Sequence, residues 1–481
     1  MKKTFKIVYS ALFFLICAAP LALMPFFKTD AKLEKRELTP MPAFMEKGRL
    51  NINFSEQFEK WFNDRLPFRA NLLTYANAVK GEFFHESTSN VIVGKDGWLF
   101  FDEESDEYMD TNAFTADQVK AFAVTLSLLQ EDVTSHGGNF VFVCMANKAS
   151  VYGEYMPVWY TKAPENNLTR VTSAMEEYGI SFVDMKKILT ERKDEGLYHR
   201  RDSHWNYKGA LIGYNAIMDA LGRKHDTYSN IEPVYEKTWR GDLDKLLYPA
   251  GGVMDYQYTY DISMKPFRFT RPAGIKDTKQ GLELMMSDKE QGDDMIITQS
   301  MAIRDGSDLY MVRDSFGRAF LPYFINSYQT AQFRRTDRPD VTSVHEGTDY
   351  VYEIVERNLG RVIAKAPFMY APVRDGSVIP SDLKDGGKIT PVISVEGYGL
   401  KIYGDLPEDT DTGDGRVYIK LSGNGQEMVI EAFPIYEAEL LEGEGTKGYS
   451  ATLSKDLGLK GEYSVNVVTG QTSFDGGSAI I

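Results

Sequence analysis

The sequence predicts an α/β fold, a parallel sheet flanked by helices, with a smaller β-sandwich after it. Three observations predict this. Between Thr115 and Ile354, short apolar runs alternate with amphipathic helical stretches, as in strands joined by crossover helices. Beyond about Ala366 the helical period disappears, and alternating runs such as Val417–Leu421 and Tyr463–Val467 are separated by Gly- and Asp-rich turns, as in a sandwich. The length of 481 residues exceeds one ordinary domain.

Each element has a local reason. Phe54, Phe58, Trp61 and Phe62 share one helical face, Asp64–Arg69 makes a turn, and a second helical pattern runs from Asn71 toward Phe84. This predicts a helical hairpin packed on the main domain. Val91–Phe100 reads as strand, turn and aromatic strand. Thr115 with Gln118 forms a capping box, and Val119, Phe122, Leu126 and Leu129 mark the apolar face of the helix that follows. Gly137-Gly138 ends it, and Asn139–Met145 is a buried strand. A helix near Leu168–Tyr178 stops at Gly179, then Ile180–Val183 is a strand and Asn206–Leu221 a helix. Strands follow at Asp308–Val312 and Tyr350–Ile354, with a helix expected over Phe316–Ile325.

The formal net charge of −15 repels phosphate backbones and argues against a nucleic-acid partner. The two cysteines, Cys17 and Cys144, fall in different apolar runs and read as small buried hydrophobes, not a disulfide. Lys2, Lys3 and Lys6 precede an apolar stretch from Ile7 to Phe27, long enough to span a bilayer as a helix, although Pro20 and Pro25 weaken its far end. No Ala-x-Ala site follows, so an uncleaved signal anchor is expected, with the bulk of the chain outside the cytoplasm. Lys28, Lys32, Lys35 and Arg36 after the span make the positive-inside bias poor.

Two short motifs carry chemistry. Asp202 and His204 stand two apart in an extended or turn segment before a helix. That spacing lets a carboxylate orient an imidazole and stabilise its charged form, with Trp205 shielding the pair. Ser315 sits where a strand meets a helix, so its hydroxyl projects from the carboxyl end of the sheet. Its own N–H and that of Phe316 are then placed to bind an oxyanion. The bland alternatives are helix caps at Asp202, Ser203 or Ser315 with a structural histidine. His199, Asp202 and His204 are also competent metal ligands, but three ligands within six residues and no distant partner make a metal unlikely on count. No metal or cofactor is expected.

Taken together, ordered blocks across Phe54 to Ala366 resemble the alginate O-acetyltransferase family and the related bacterial DHHW proteins, whose domains are SGNH-hydrolase-like. The blocks are Asp64–Arg69, Val93–Phe100, Asn147–Tyr152, Asp202–Trp205, Asp314–Phe316 and Asp349–Arg357. In that family the Asp-x-His pair precedes the serine, as here. The resemblance implies Ser315 as nucleophile, His204 as general base and Asp202 as its orienter. Phe316, Arg318, Lys148, Arg357 and Trp205 are weaker candidates for oxyanion or substrate binding. The implied activity is acetyl transfer through an acyl-serine onto an extracytoplasmic polysaccharide, beside a multipass membrane acyltransferase that supplies the acyl group. A carbohydrate esterase with the same triad, or a non-catalytic glycan-binding or assembly protein, are the alternatives. Ser203 replaces one histidine of the name-giving motif, Arg313 replaces a frequent glycine, and Arg318 stands where asparagine is common. The division expected is 1–28 signal anchor, 29–88 membrane-proximal helical segment, 89–367 catalytic domain and 368–481 accessory β-sandwich, in a bacterial cell membrane.

Overall fold

The computed structural model describes residues 2–27, 38–46, 48–81, 90–286, 294–397, 399–436 and 447–481. Its centre is a seven-stranded sheet, numbered here in chain order: β1 Phe140–Met145, β2 Phe182–Val183, β3 Phe267–Arg271, β4 Met295–Ser300, β5 Asp308–Arg313, β6 Thr330–Arg335 and β7 Asp349–Val355. The strand order is β2-β1-β7-β5-β6-β4-β3. Strands β2, β1, β7, β5 and β6 run parallel. Strand β4 runs antiparallel to both of its neighbours, β6 and β3, at one edge, so the expected parallel sheet is in fact mixed. The reason is local: β4 follows β3 and reaches β5 through a short loop, with no crossover helix to restore direction.

The inner strands are apolar on both faces because both are covered. All six side chains of β1 and all seven of β7 are buried, including Cys144; the Cys17 side chain lies outside the described residues. One core holds the helix Tyr207–Ala220 with Trp205, Phe316, Phe320 and Phe324. The opposite core holds the helix Ala116–Ser135. That helix starts in the Thr115–Gln118 capping box and ends where Gly137 takes φ +77, a conformation glycine adopts at little cost. The helix Asn167–Glu177 ends similarly before Gly179 at φ +67.

The C-terminal part is β-rich. Its strands lie in the order Lys384–Lys388, Thr472–Ile480, Glu462–Thr469, Val417–Gly423, Gln426–Ile435, Gly448–Ser454, Gly399–Asp405 and Val392–Val395. Ile402, Val417, Ile419, Leu421, Tyr449 and Val467 form a core of their own. The long strand Gln426–Ile435 carries Phe433 and Ile435 into the core under Ala116–Ser135. Arg374 adds polar docking, reaching Glu131 at 2.5 Å and Glu431 at 2.5 Å.

At the N-terminus, Lys2–Leu23 is helical. No helix among the described residues is long and apolar enough to cross a membrane, so the spanning anchor expected over Ile7–Phe27 is corrected. The helix contains Pro20 and stops at Leu23. After Lys6 it offers roughly 17 residues, or about 26 Å of rise, short of the hydrocarbon thickness of about 30 Å. Lys28, Lys32, Lys35 and Arg36 lie outside the described residues. The two helices expected of this region form at Phe54–Asp64 and Arg69–Val79. The second docks by hydrogen bonds to the main unit, Asn77 Nδ2 donating to the Leu247 carbonyl at 2.8 Å and Thr74 Oγ1 accepting from Ala250 N–H at 3.0 Å.

Candidate active site

Asp202 and His204 occupy a tight loop closed by the pairing of Tyr198 with Trp205. The loop has a buried ammonium beneath it. Lys148 Nζ donates to the carbonyls of His199 at 3.3 Å, Arg200 at 3.3 Å and Asp202 at 2.6 Å. Its charge also faces the rings of Trp98 and Phe100. Burial lowers the Lys148 pKa to about 8, against the opposing pull of Glu104 and Asp202. Lys148 therefore shapes the loop that presents Asp202 and does not line the pocket, contrary to its expected contact with substrate. Lys148→Met leaves three carbonyls without their donor. We expect a loss of about 3 kcal/mol in chemical denaturation, with a larger proportional loss of activity than of folded protein. Wild-type stability and turnover in that variant would contradict the clamp.

Asp202 is buried, and its two oxygens accept four hydrogen bonds. Oδ1 takes His204 N–H at 3.0 Å and His204 Nδ1 at 2.7 Å. Oδ2 takes Trp239 Nε1 at 2.9 Å and Asp242 N–H at 2.9 Å. Burial pushes its pKa up, but the hydrogen bonds and charge of His204 outweigh that and hold it well below the usual carboxylate range. With Nδ1 donating to Asp202, His204 Nε2 is left as an acceptor, and it meets Ser315 Oγ at 2.8 Å. Burial pulls the His204 pKa down, yet the bond to Asp202 and the charges of Asp202 and Asp242 raise it above the ordinary histidine value.

Ser315 follows the carboxyl end of β5, which lies between β7 and β6. The turn is set by Asp314. Its Oδ1 accepts from Phe316 N–H at 2.8 Å and its Oδ2 from Val355 N–H at 2.8 Å, tying the serine loop to the end of β7. This corrects the oxyanion expectation, because the Phe316 N–H is committed to Asp314. The helix expected over Phe316–Ile325 is also divided into a 3-10 turn, Phe316–Phe320, and a short α-helix, Leu321–Ile325. Trp205 joins the two motifs: its Nε1 donates to the Phe316 carbonyl at 3.2 Å, and its ring meets Phe320 edge-on at 5.0 Å.

Gly317 is held against buried side chains. A Cβ there would lie 2.6 Å from Glu353 Oε2 and 2.7 Å from Arg313 Cβ. Glu353 Oε2 in turn accepts from Asp314 N–H at 3.0 Å. Gly317→Ala is thus expected to push on the serine turn, costing about 2 kcal/mol by overpacking and about 10–100-fold in turnover through misplacement of Ser315. Thermal melting and an ester-cleavage assay check both, and an unchanged rate would remove this contact from the argument. Arg313, the departure from glycine, is fully buried and donates to the Asp314 carbonyl at 2.9 Å.

Asp202, His204, Trp205, Ser315 and Phe316 line a cavity of about 230 Å³ that also includes Tyr207, Trp239, Asp242, Gln257, Arg318 and Arg335. Arg318 is therefore placed beside Ser315. Arg357 is not among the lining residues; its guanidinium sits 5.7 Å from the Phe316 ring and 5.3 Å from that of Phe101. His199 is buried and stacked on Trp239 at 5.0 Å, with Nδ1 2.9 Å from the Tyr256 carbonyl and Nε2 3.4 Å from Gln257. Both of its nitrogens are thus engaged, which removes the His199 metal reading. Asp202, His204 and Asp242 do approach within 4.8 Å of one another. Every carboxylate oxygen of that group already accepts a protein hydrogen bond, so we assign it to orientation of the imidazole.

Sequence reasoning missed Trp239, Asp242, Asp314 and Gln257. The signal for two of them was present in Trp239-Arg240-Gly241-Asp242, a glycine flanked by an indole and a carboxylate. A Cβ at Gly241 would lie 2.0 Å from the Arg201 carbonyl oxygen, so the residue marks the close approach of this strand end to the Asp202 loop.

Residues 91–271 match the family model described as SGNH hydrolase-like domain, acetyltransferase AlgX. Over this segment the chain is similar to SGNH hydrolase-like acetyltransferase domains. The probable alginate O-acetylase AlgJ of Pseudomonas aeruginosa is 27% identical over 205 residues, 40% of this chain and 50% of that protein. Its counterpart in Pseudomonas putida is 24% identical over 177 residues, 36% of this chain and 45% of the relative. The chain spans about half the length of the curated relatives it matches. A solved DHHW family protein from Eubacterium siraeum is 16% identical, covers 57% of this chain and 95% of its own, and has a TM-score of 0.39. The alginate O-acetyltransferase-like match contains Lys148, Asp202, His204 and Asp242 but ends before Ser315. Ser315 joins them through the geometry described above.

Proposed function

We propose that this chain is a serine-dependent O-acyltransferase that moves an acetyl group onto hydroxyls of an extracytoplasmic polysaccharide. One observation carries the reading: His204 Nε2 stands 2.8 Å from Ser315 Oγ while Asp202 holds Nδ1 at 2.7 Å. Hydroxyl, imidazole and carboxylate thus form one hydrogen-bonded line, in which the imidazole can take the serine proton and the carboxylate orients it. The alginate O-acetyltransferase-like match supplies acetyl as the group and polysaccharide as the acceptor class.

In the first half-reaction Ser315 Oγ bonds to the donor carbonyl carbon as its proton passes to His204 Nε2. Asp202 stabilises the imidazolium. Collapse of the tetrahedral state breaks the bond to the donor oxygen, which leaves with the proton from His204. In the second half-reaction an acceptor hydroxyl loses its proton to His204 and attacks the acyl-serine, and Ser315 recovers the proton as it leaves. With the Phe316 N–H committed, the developing oxyanion is met by the Ser315 N–H and the Arg318 guanidinium. We further propose that a multipass membrane acyltransferase delivers the acyl group, as the resemblance implies.

His204 is a quarter exposed, so water reaches the acyl-serine and hydrolysis is the competing outcome. Incubation of the full chain with an activated acetyl ester, with and without oligosaccharide, separates the two. Acetylated sugar together with an acetyl mass on the peptide containing Ser315 is the expected result. Free acetate alone would assign an esterase, and no acetyl-Ser315 with no product would remove the acyl-enzyme reading.

A further inference from the structure

His204 Nδ1 faces two carboxylates. Asp202 Oδ1 is 2.7 Å away, and Asp242 Oδ2, from a different element, is 3.5 Å away. Ser203 lies against both: its Oγ is 3.2 Å from His204 Nδ1 and donates to Asp242 Oδ2 at 2.6 Å. Asp242 is held firmly. Its N–H donates to Asp202 Oδ2 at 2.9 Å, and its Oδ1 accepts from Ser203 N–H and Leu243 N–H, each at 2.7 Å. The contact at Gly241 presses this backbone onto the loop, where a Cβ would also lie 2.8 Å from Asp202 N. Such a tethered carboxylate is not a solvent-facing side chain that happens to point inward.

We propose that Asp242 is a second positioning carboxylate for His204, held in place through Ser203, so that the base works between two carboxylates. For its catalytic consequence this rests on the acyl-transfer reading of Ser315. The residue that replaces a motif histidine, Ser203, thereby acquires a purpose: its one hydroxyl proton goes to Asp242, which leaves oxygen lone pairs toward Nδ1. When His204 takes the Ser315 proton, positive charge forms beside both carboxylates, and an opposite charge at this range favours the charged form. Burial and the like charge of Asp202 raise the Asp242 pKa, while His204 and the Ser203 bonds oppose the rise.

Other charged groups surround the ring. Arg357 lowers the His204 pKa. Arg318 and Arg335 line the same cavity. His199 is coupled by charge to Asp202, Asp255 and Lys148, and Asp314 sits beside Ser315. All of these stay in place in an Asp242→Asn variant, whose carbonyl oxygen can keep the Ser203 and Leu243 N–H bonds.

The test is the titration of His204 itself. The full chain has six histidines, so ¹⁵N-histidine labelling gives a readable spectrum, with His204 assigned by its loss in His204→Gln. In Asp242→Asn the His204 pKa is expected to fall by about one pH unit, and the acid limb of kcat/KM to move with it. Asp242→Ser, uncharged but still polar, must move it the same way. A folded variant whose His204 titrates as in the wild type overturns the proposal, whatever its activity. A shifted titration in the variant, with no acyl transfer by the wild-type chain, would keep Asp242 as a positioning residue and remove the acyl-transfer reading instead.

Discussion

Ser315→Ala is expected to lower kcat/KM for acyl transfer by at least about 10⁴-fold while leaving the fold intact. The side chain makes one hydrogen bond, to His204 Nε2 at 2.8 Å, in a half-buried position. Its loss costs the fold no more than about 1 kcal/mol. Ser315 has φ −71 and ψ −26, helical values that alanine adopts freely, so the turn needs no serine to form. The variant therefore separates a reacting hydroxyl from a capping one. A cap would lose stability and keep its rate, whereas a nucleophile loses rate and keeps its stability. Acyl-enzyme mass, transfer rate and melting temperature measured on one preparation decide between them. Retention of more than about a tenth of the rate would exclude Ser315 as nucleophile.

The second large effect is expected for Asp202→Asn. An amide has one acceptor where the carboxylate has two. If its NH₂ faces His204, it opposes the His204 N–H and forces Nδ1 to become an acceptor; Nε2 then carries the proton and cannot receive the one from Ser315. If the NH₂ faces the other way, it opposes Trp239 Nε1 and the Asp242 N–H, both now at 2.9 Å from Oδ2. The first orientation leaves one buried donor without an acceptor and the second leaves two, costing about 1–4 kcal/mol. The rate is expected to fall about 10³–10⁴-fold. The pH dependence has a definite sign. A base must be neutral, so activity rises as pH rises through the His204 pKa, and in the wild type that pKa is raised, by the Asp202 hydrogen bond and charge against burial. Without the carboxylate charge the acid limb moves to lower pH. A limb that stays in place in the folded variant would show that Asp202 does not act through His204.

Much of the architecture was legible because its causes are local. The Thr115–Gln118 box starts its helix, Gly137 and Gly179 end theirs in left-handed conformations, and the apolar run of β1 and the mostly apolar run of β7, broken by Glu353, are the buried strands they read as. The antiparallel edge was not legible. Phe267–Arg271 does alternate apolar and polar residues, but alternation carries no strand direction, which depends on what the strands pack beside. The N-terminal apolar run shows a different limit. Its composition satisfied a bilayer span, but the helix contains Pro20 and ends at Leu23.

By itself the sequence determined what two or three neighbouring residues can do. Asp202 and His204 are in reach of each other at a spacing of two, and an Asp-Ser pair at a strand end makes a turn. Only the tertiary structure decided what meets across the chain. Ser315 is 111 residues from His204, and its approach depends on β5 lying between β7 and β6 and on Trp205 bridging the two loops. Packing likewise put Lys148 under the loop instead of in the pocket, tied Asp314 to the end of β7, and brought Asp242 beside His204. The physical reason is one of range. Covalent spacing fixes local geometry before folding, whereas a hydrogen bond between distant segments exists only once the core has placed both ends.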